Sequence, residues 1–185
     1  MTSLSPQSGR EVAIVAGGCF WCIEAVFDEV QGVLSAESGY IGGSMANPSY
    51  EAVCTGMTGH AEAVRVTFDP TVISYAEVLS IFFAVHDPTT LNRQGHDMGT
   101  QYRSAVFTTS AEQKATAEAI IAALTTEKVF GDPIVTEVTE AGEFYKCEAY
   151  HDDYYKRNPY AGYCRVVIDP KVAKFRKQFA AKLKA

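Results

Sequence analysis

The chain has 185 residues, of which 47% are hydrophobic, and it carries a formal net charge of −6 at pH 7. This length predicts a single catalytic or binding domain, residues 11–185, after a flexible polar tail at residues 1–10. The acidic balance argues against partners such as nucleic acid or an anionic membrane, because phosphate binding needs clustered lysine and arginine.

The first residues of the chain, its apolar runs and its cysteines indicate the cellular compartment. No basic region followed by an apolar one opens the chain, and no apolar run reaches the roughly 20 residues that span a bilayer. The five cysteines, an odd number, are Cys19, Cys22, Cys54, Cys147 and Cys164. These features predict a cytoplasmic protein, in which disulfides form only transiently during catalysis.

The first half of the chain alternates predicted strands and helices. Residues 11–16 are apolar at nearly every position, which favours a strand covered on both faces and ending at Gly17-Gly18. A helix follows, because apolar residues recur at i, i+3, i+4 and i+7 from Ile23. Further strands are predicted at residues 32–40 and, by alternation, at 61–69.

In the second half, two capping boxes mark the starts of helices. Ser74 precedes Glu77 and Ser110 precedes Gln113 at the spacing that this motif requires. The remaining predictions are strands at 104–108 and 134–138, a coil over 142–164 and a basic helix at 171–183. The alternation predicts an α+β fold, a two-layer α/β sandwich with a mixed sheet and long functional loops.

Cys19 is the leading candidate for a nucleophile. In GGCFWC it stands between a predicted strand and a predicted helix, where unpaired N–H groups and the helix dipole lower a thiol pKa. Cys22 follows one turn later. A CxxC pair after a strand is also the arrangement of a thioredoxin-like dithiol-disulfide oxidoreductase using Cys19 and Cys22.

Two aromatic rings and one carboxyl group extend this candidate site. Trp21 lies almost opposite the apolar stripe of its helix, so Phe20 and Trp21 predict a pocket suited to a methyl group bonded to sulfur. In the strand at 61–69, Glu62 has the parity of the core residue Val64. Desolvation should raise the pKa of Glu62 and keep it protonated, as a general acid requires.

Four segments resemble the peptide methionine sulfoxide reductase A family, which repairs oxidised methionine. They are GGCFWC, GYIGGSMANPSYEAVCTGMTGHAEAVRVTFDP, HDPTTLNRQGHDMGTQYRSAVF and NPYAGYC, and they cover about residues 12–164. The resemblance implies a ferredoxin-like βαβ core. It also implies reduction of methionine S-sulfoxide, with thioredoxin as the partner that supplies electrons to a monomer.

The resemblance assigns a role to each matched residue. Cys19 attacks the sulfoxide sulfur, and Glu62 protonates the sulfoxide oxygen. The oxygen is hydrogen-bonded by Tyr50 and Tyr102, Asp97 places the substrate backbone or a water, and Phe20 and Trp21 hold the methyl group. Cys164 matches the usual resolving cysteine. Cys22 replaces the commoner glycine, so either cysteine is a candidate to resolve the sulfenic acid.

Two other function classes remain open on the residues alone. The dithiol oxidoreductase has no need of the bulky Phe20-Trp21 pair or of an inward Glu62. A non-catalytic peptide-binding module could use the same aromatic pocket. His60 and His151 lack the matched ligand pairs of a zinc site, so we expect neither a metal nor another cofactor.

Overall fold

The computed structural model describes residues 9–184, so residues 1–8, most of the predicted tail, lie outside the described part. The strands are β1 (Glu11–Ala16), β2 (Val33–Ile41), β3 (Ala61–Phe68), β4 (Arg93–Gln94), β5 (Asp97–Met98), β6 (Ala105–Thr108), β7 (Glu137–Glu140) and β8 (Tyr145–Lys146). The α-helices are α1 (Phe20–Phe27), α2 (Tyr50–Cys54), α3 (Tyr75–Val85), α4 (Ala111–Thr126), α5 (Tyr154–Arg157) and α6 (Asp169–Gln178). Over residues 9–184, no helix is long and apolar enough to cross a membrane.

The main sheet has six strands in the order β7-β6-β1-β3-β2-β8. Neighbouring strands are antiparallel except for β6 and β7, which are parallel. Strand β3 lies between β1 and β2, which α1 connects, and β1 lies between β3 and β6, which α3 connects. Two interleaved split βαβ units of this kind are the ferredoxin-like arrangement. The predicted α+β class and mixed sheet are confirmed.

The sheet has an apolar core on each face. Toward the helices, Val64 and Val66 pack in the cluster that contains Phe27 and Phe82. The opposite face holds a smaller cluster around Ala63. This separation follows the alternation of β3, and it puts Glu62 on the same side as the helices.

At both predicted capping boxes the serine half is confirmed, whereas Gln113 Oε1 accepts the Thr109 N–H and Glu77 Oε2 pairs with Lys182 instead of returning a bond to the serine. Ser74 Oγ accepts the Glu77 N–H at 3.1 Å, and Ser110 Oγ accepts the Gln113 N–H at 3.1 Å. The predicted strand at 134–138 is displaced. Its pairing with β6 begins only at Glu137, while the Val135 N–H donates to the carbonyl of Pro88.

Residues 142–164 are largely irregular, as predicted, but they contain the short elements β8 and α5. The predicted start of the last helix is wrong. Cys164–Ile168 form a π-helical turn that continues into α6. Cys164, Ile168, Val172 and Phe175 are all buried, and their near-helical spacing carries one apolar face across Pro170. Pro170 lies where the π-helical turn joins α6, and the regular hydrogen-bond ladder is already interrupted there, so the missing N–H of proline is tolerated.

Candidate active site

Cys19 lies at the turn between β1 and α1, as predicted. Gly18 has a φ of +88°, and a Cβ there would come within 2.6 Å of the Gln94 side chain. The turn therefore requires glycine. Cys19 is the N-cap residue of α1, and its side chain is nearly buried at 7% exposure.

The predicted lowering of the Cys19 pKa is wrong for this closed site. Burial, followed by the hydrogen bond with the Cys22 thiol and the nearby Glu62, raises the Cys19 pKa well above its ordinary value. The backbone N–H of Trp21 acts in the opposite direction but is outweighed. Cys19 is therefore a protonated thiol in this site, and it would have to lose its proton to act as a nucleophile.

Glu62 lies where β3 begins, next to this turn. Val15 pairs with Val64, so continuing the antiparallel register by two residues places Glu62 opposite Gly17. The carboxyl group is 1% exposed. Its Oε1 accepts the Phe20 N–H at 3.3 Å, and its Oε2 has no protein partner among the described residues.

This environment gives Glu62 the protonation state that the sequence predicts. Burial raises its pKa to about 8, against a smaller lowering by the Phe20 N–H. At pH 7 the group is therefore mainly a carboxylic acid. Its free oxygen can hold a proton beside Cys19 and donate it to a ligand.

Two tyrosines and an aspartate surround the same space. Burial and then the charge of Glu62 raise the pKa of both Tyr50 and Tyr102, so both phenols remain neutral hydrogen-bond donors. The Asp97 carboxylate accepts a hydrogen bond from the Tyr163 hydroxyl at 2.7 Å. Asp97 is thus held by the segment that contains Cys164.

The aromatic pair after Cys19 forms part of a larger cluster. The Phe20 ring lies 6.3 Å from the Tyr50 ring, between centroids. The Trp21 ring stacks on Tyr154 at 3.7 Å with an interplanar angle of 8°. The indole N–H also donates to His151 Nδ1 at 3.0 Å.

His151, Tyr154 and Tyr163 were missed as site residues by sequence reasoning. A partly buried indole needs an acceptor for its N–H, and that requirement pointed to a polar partner without identifying it. Because His151 Nδ1 accepts this bond, the ring proton of neutral His151 is on Nε2. Nε2 has no protein partner within residues 9–184.

The cysteines are not equally placed for a second thiol step. All five are free thiols. The Cys22 thiol lies against Cys19, and this interaction lowers the Cys22 pKa, while burial acts in the opposite direction. Cys164 is fully buried, and the proximity of Cys22 contributes to its raised pKa after burial and Asp169. Cys54 is exposed at the end of α2.

Known proteins are similar to this chain in sequence and in fold. The family model for peptide methionine sulfoxide reductase matches residues 11–183. The peptide methionine sulfoxide reductase MsrA of Deinococcus radiodurans is 59% identical over 97% of this chain and 87% of its own length. The MsrA of Ralstonia nicotianae is 56% identical over 100% of this chain and 98% of its own.

A solved structure of the same family also resembles this fold. Methionine sulfoxide reductase A of Corynebacterium diphtheriae superimposes with a TM-score of 0.73 and 36% identity, over 83% of this chain and 77% of that one. A buried thiol beside a protonated carboxyl group is the chemistry that reduction of a sulfoxide needs. Sequence, fold and site agree that this chain belongs to the peptide methionine sulfoxide reductase family and is an oxidoreductase that reduces methionine sulfoxide.

Proposed function

We propose that Cys19 reduces the S epimer of methionine sulfoxide, free or in oxidised proteins, and that the chain thereby repairs oxidised proteins. The observation that carries the mechanism is Glu62, a buried acid with an unpartnered oxygen next to the nucleophile's helix. A sulfoxide oxygen is a poor leaving group until it is protonated. An acid that is still protonated at neutral pH supplies that proton where a thiol can attack the sulfur.

The first step transfers one oxygen atom from the substrate to the enzyme. Glu62 protonates the sulfoxide oxygen, the Cys19 sulfur attacks the substrate sulfur, and the Glu62 carboxylate takes up the proton of the Cys19 thiol. The hydroxyl group then moves from the substrate sulfur to the Cys19 sulfur as the bond between the two sulfurs breaks. The products are methionine and a Cys19 sulfenic acid, so sulfoxide and thiol balance without another reactant. Tyr50 and Tyr102 donate hydrogen bonds to the oxygen, and the rings of Phe20 and Trp21 surround the methyl group.

A second thiol then displaces the sulfenic acid oxygen as water and forms a disulfide. We assign this step principally to Cys164, with Cys22 as a relay that takes over the disulfide. A dithiol protein of the thioredoxin type reduces the disulfide by thiolate attack and a mixed disulfide. This cycle needs one chain and a reducing compartment, which supports action as a monomer in the cytoplasm.

Turnover of both sulfoxide epimers of a blocked methionine, with thioredoxin and with dithiothreitol, tests this proposal. We expect only the S epimer to react. Cys164→Ser should release one methionine per enzyme but lose most thioredoxin-supported turnover, and mapping of the wild type after one turnover should find Cys19 joined to Cys164. A Cys19–Cys22 disulfide alone, with normal turnover of Cys164→Ser, would make the CxxC the redox pair.

Reduction of insulin disulfides tests the alternative that this chain is a dithiol oxidoreductase. The reactive Cys19–Cys22 contact is compatible with disulfide exchange. We expect no reduction of insulin disulfides in the absence of sulfoxide and other catalysts. Efficient insulin reduction with an intact Cys19 and Cys22 would show that exchange is an activity of this chain.

A further inference from the structure

Glu24 is a buried carboxyl group on α1 that the reaction does not use. It lies one turn beyond Trp21 and is 4% exposed. Its Oε1 accepts the backbone N–H of Asp153 at 2.7 Å, and its Oε2 accepts the Ser38 hydroxyl. Burial raises the Glu24 pKa to about 7, and both hydrogen bonds act in the opposite direction. A buried carboxyl group is tolerated only with such partners.

The bond to Asp153 fixes an unusual turn. Asp153 has φ 50° and ψ 34°, a left-handed conformation that costs a non-glycine residue conformational energy. Such a conformation persists when surrounding contacts specify it. The Glu24 carboxyl group supplies one of these contacts from a different part of the chain, 129 residues away in sequence.

The same turn carries two of the contacts to the indole. His151, two residues before Asp153, accepts the Trp21 N–H at 3.0 Å. Tyr154, the next residue after Asp153, stacks on the Trp21 ring at 3.7 Å. Trp21 and Glu24 lie on one helix, so the turn is attached to α1 at the indole and again at the carboxyl group.

We propose that Glu24 is a positioning residue for the substrate pocket, which holds the His151–Tyr154 turn against Trp21 and so fixes the orientation of the indole. The inference rests on the proposed function in one respect, that Trp21 contacts the methyl group of the substrate. Glu24 hydrogen-bonds neither Cys19 nor Glu62. Its loss should therefore weaken substrate binding while leaving the chemical step intact.

The test compares three variants by KM, kcat and tryptophan emission. Trp21 is the only tryptophan, so the emission reports on this indole alone. Glu24→Leu removes the acceptor for Asp153. We expect KM to rise about tenfold with kcat unchanged. This is the smallest change expected from the loss of one hydrogen bond to a charged group. The emission should shift to longer wavelength and become easier to quench with acrylamide.

Two variants serve as matched controls. Glu24→Gln keeps an oxygen that accepts the Asp153 N–H, and its amide can donate to the Ser38 hydroxyl, so it should restore wild-type KM and emission. Ser38→Ala removes the other partner of Glu24 and leaves the Asp153 bond in place. It should also retain wild-type KM and emission.

Each outcome decides between positioning and simple packing. Wild-type KM and emission in Glu24→Leu would overturn the inference, as would an equal loss in Ser38→Ala. A shifted emission with unchanged KM would support the attachment of the turn and refute the contact of Trp21 with substrate. If Glu24→Leu does not fold, Glu24→Asp, one methylene shorter, should show a smaller KM rise and emission shift. Wild-type values for that folded variant would overturn the inference.

Discussion

Replacing the acid Glu62 with its amide, Glu62→Gln, tests the central step of the proposed mechanism. The glutamine has nearly the same shape, and its amide oxygen can still accept the Phe20 N–H that Glu62 Oε1 accepts at 3.3 Å. Its N–H groups can also hydrogen-bond the sulfoxide oxygen. The amide cannot transfer a proton at neutral pH, so the substitution removes acid catalysis while keeping the pocket.

The expected loss of rate is large. General acid catalysis contributes about 10²–10⁴-fold, or about 2.7–5.4 kcal/mol of activation free energy. The pKa of about 8 means that wild-type Glu62 is mostly protonated at pH 7. Consequently the wild-type rate of methionine release should be nearly constant below pH 7 and should decline above pH 8. Methionine release by Glu62→Gln should be slow both below pH 7 and above pH 8, and its rate should not decline between these ranges.

Although Glu62→Gln should be a slower enzyme, its stability should fall less with rising pH than that of the wild type. Because the folded pKa of about 8 exceeds the ordinary 4.5, the folded chain retains a proton that the unfolded chain releases. The contribution of Glu62 to wild-type stability therefore declines as pH rises from 4.5 toward 8, by at most about 5 kcal/mol. Glu62→Gln should lack this contribution and keep that of Glu24, whose pKa is also raised. Between pH 5 and pH values above 8, the urea midpoint of the variant should therefore fall less than that of the wild type.

Single-turnover release of methionine, measured by rapid quench from pH 6 to 9.5, gives the rate directly, and urea titrations give the stability. Iodoacetamide labelling of Cys19 provides the control that the nucleophile remains accessible in the variant. Methionine release at the wild-type rate would remove Glu62 from the mechanism. A slow variant with the wild-type pH dependence would mean that another group supplies the proton.

Three further predictions address the nucleophile and the scaffold. Cys19→Ser should abolish sulfoxide reduction, and residual turnover would identify a different nucleophile. Iodoacetamide labelling of Cys19, followed by peptide mapping, should reach half its maximal rate only above pH 9, because burial raises the Cys19 pKa. A midpoint near neutrality would contradict the closed, protonated site. Ser74→Ala removes the cap of α3 and should lower the unfolding free energy by about 1 kcal/mol without changing kcat, and loss of activity in the folded variant would show that this cap acts on the site.

Local patterns predicted the features that depend on one stretch of chain. The apolar run of β1, the capping serines and the alternation that turns Glu62 inward each depend on backbone geometry within a few residues. The raised pKa of Glu62 followed because burial, its largest cause, sets the direction. The roles of the matched tyrosines, in contrast, came from the family resemblance and remain to be tested.

Features that depend on distant contacts were missed or wrong. The Cys19 pKa depends on how deeply the thiol is buried and on Cys22 and Glu62, and burial outweighs the helix start. The register of β7 depends on β6, and it begins three residues later than the apolar pattern does. The contacts of Trp21 with His151 and Tyr154 join residues about 130 positions apart, which no local period records.

The position of Cys164 changes the physical argument about the resolving step. A mobile coil would let this thiol approach Cys19 freely, but the thiol is fully buried at the start of a π-helical turn. Cys22 already contacts Cys19, and a CxxC pair can reach disulfide geometry at a helix start. A π-helical turn is a local interruption of regular helix and is frequent at functional sites. Resolution by Cys164 therefore requires this turn to open, whereas resolution by Cys22 requires only the first turn of α1 to loosen. Shortening the time between sulfoxide addition and quenching should then reveal which disulfide forms first.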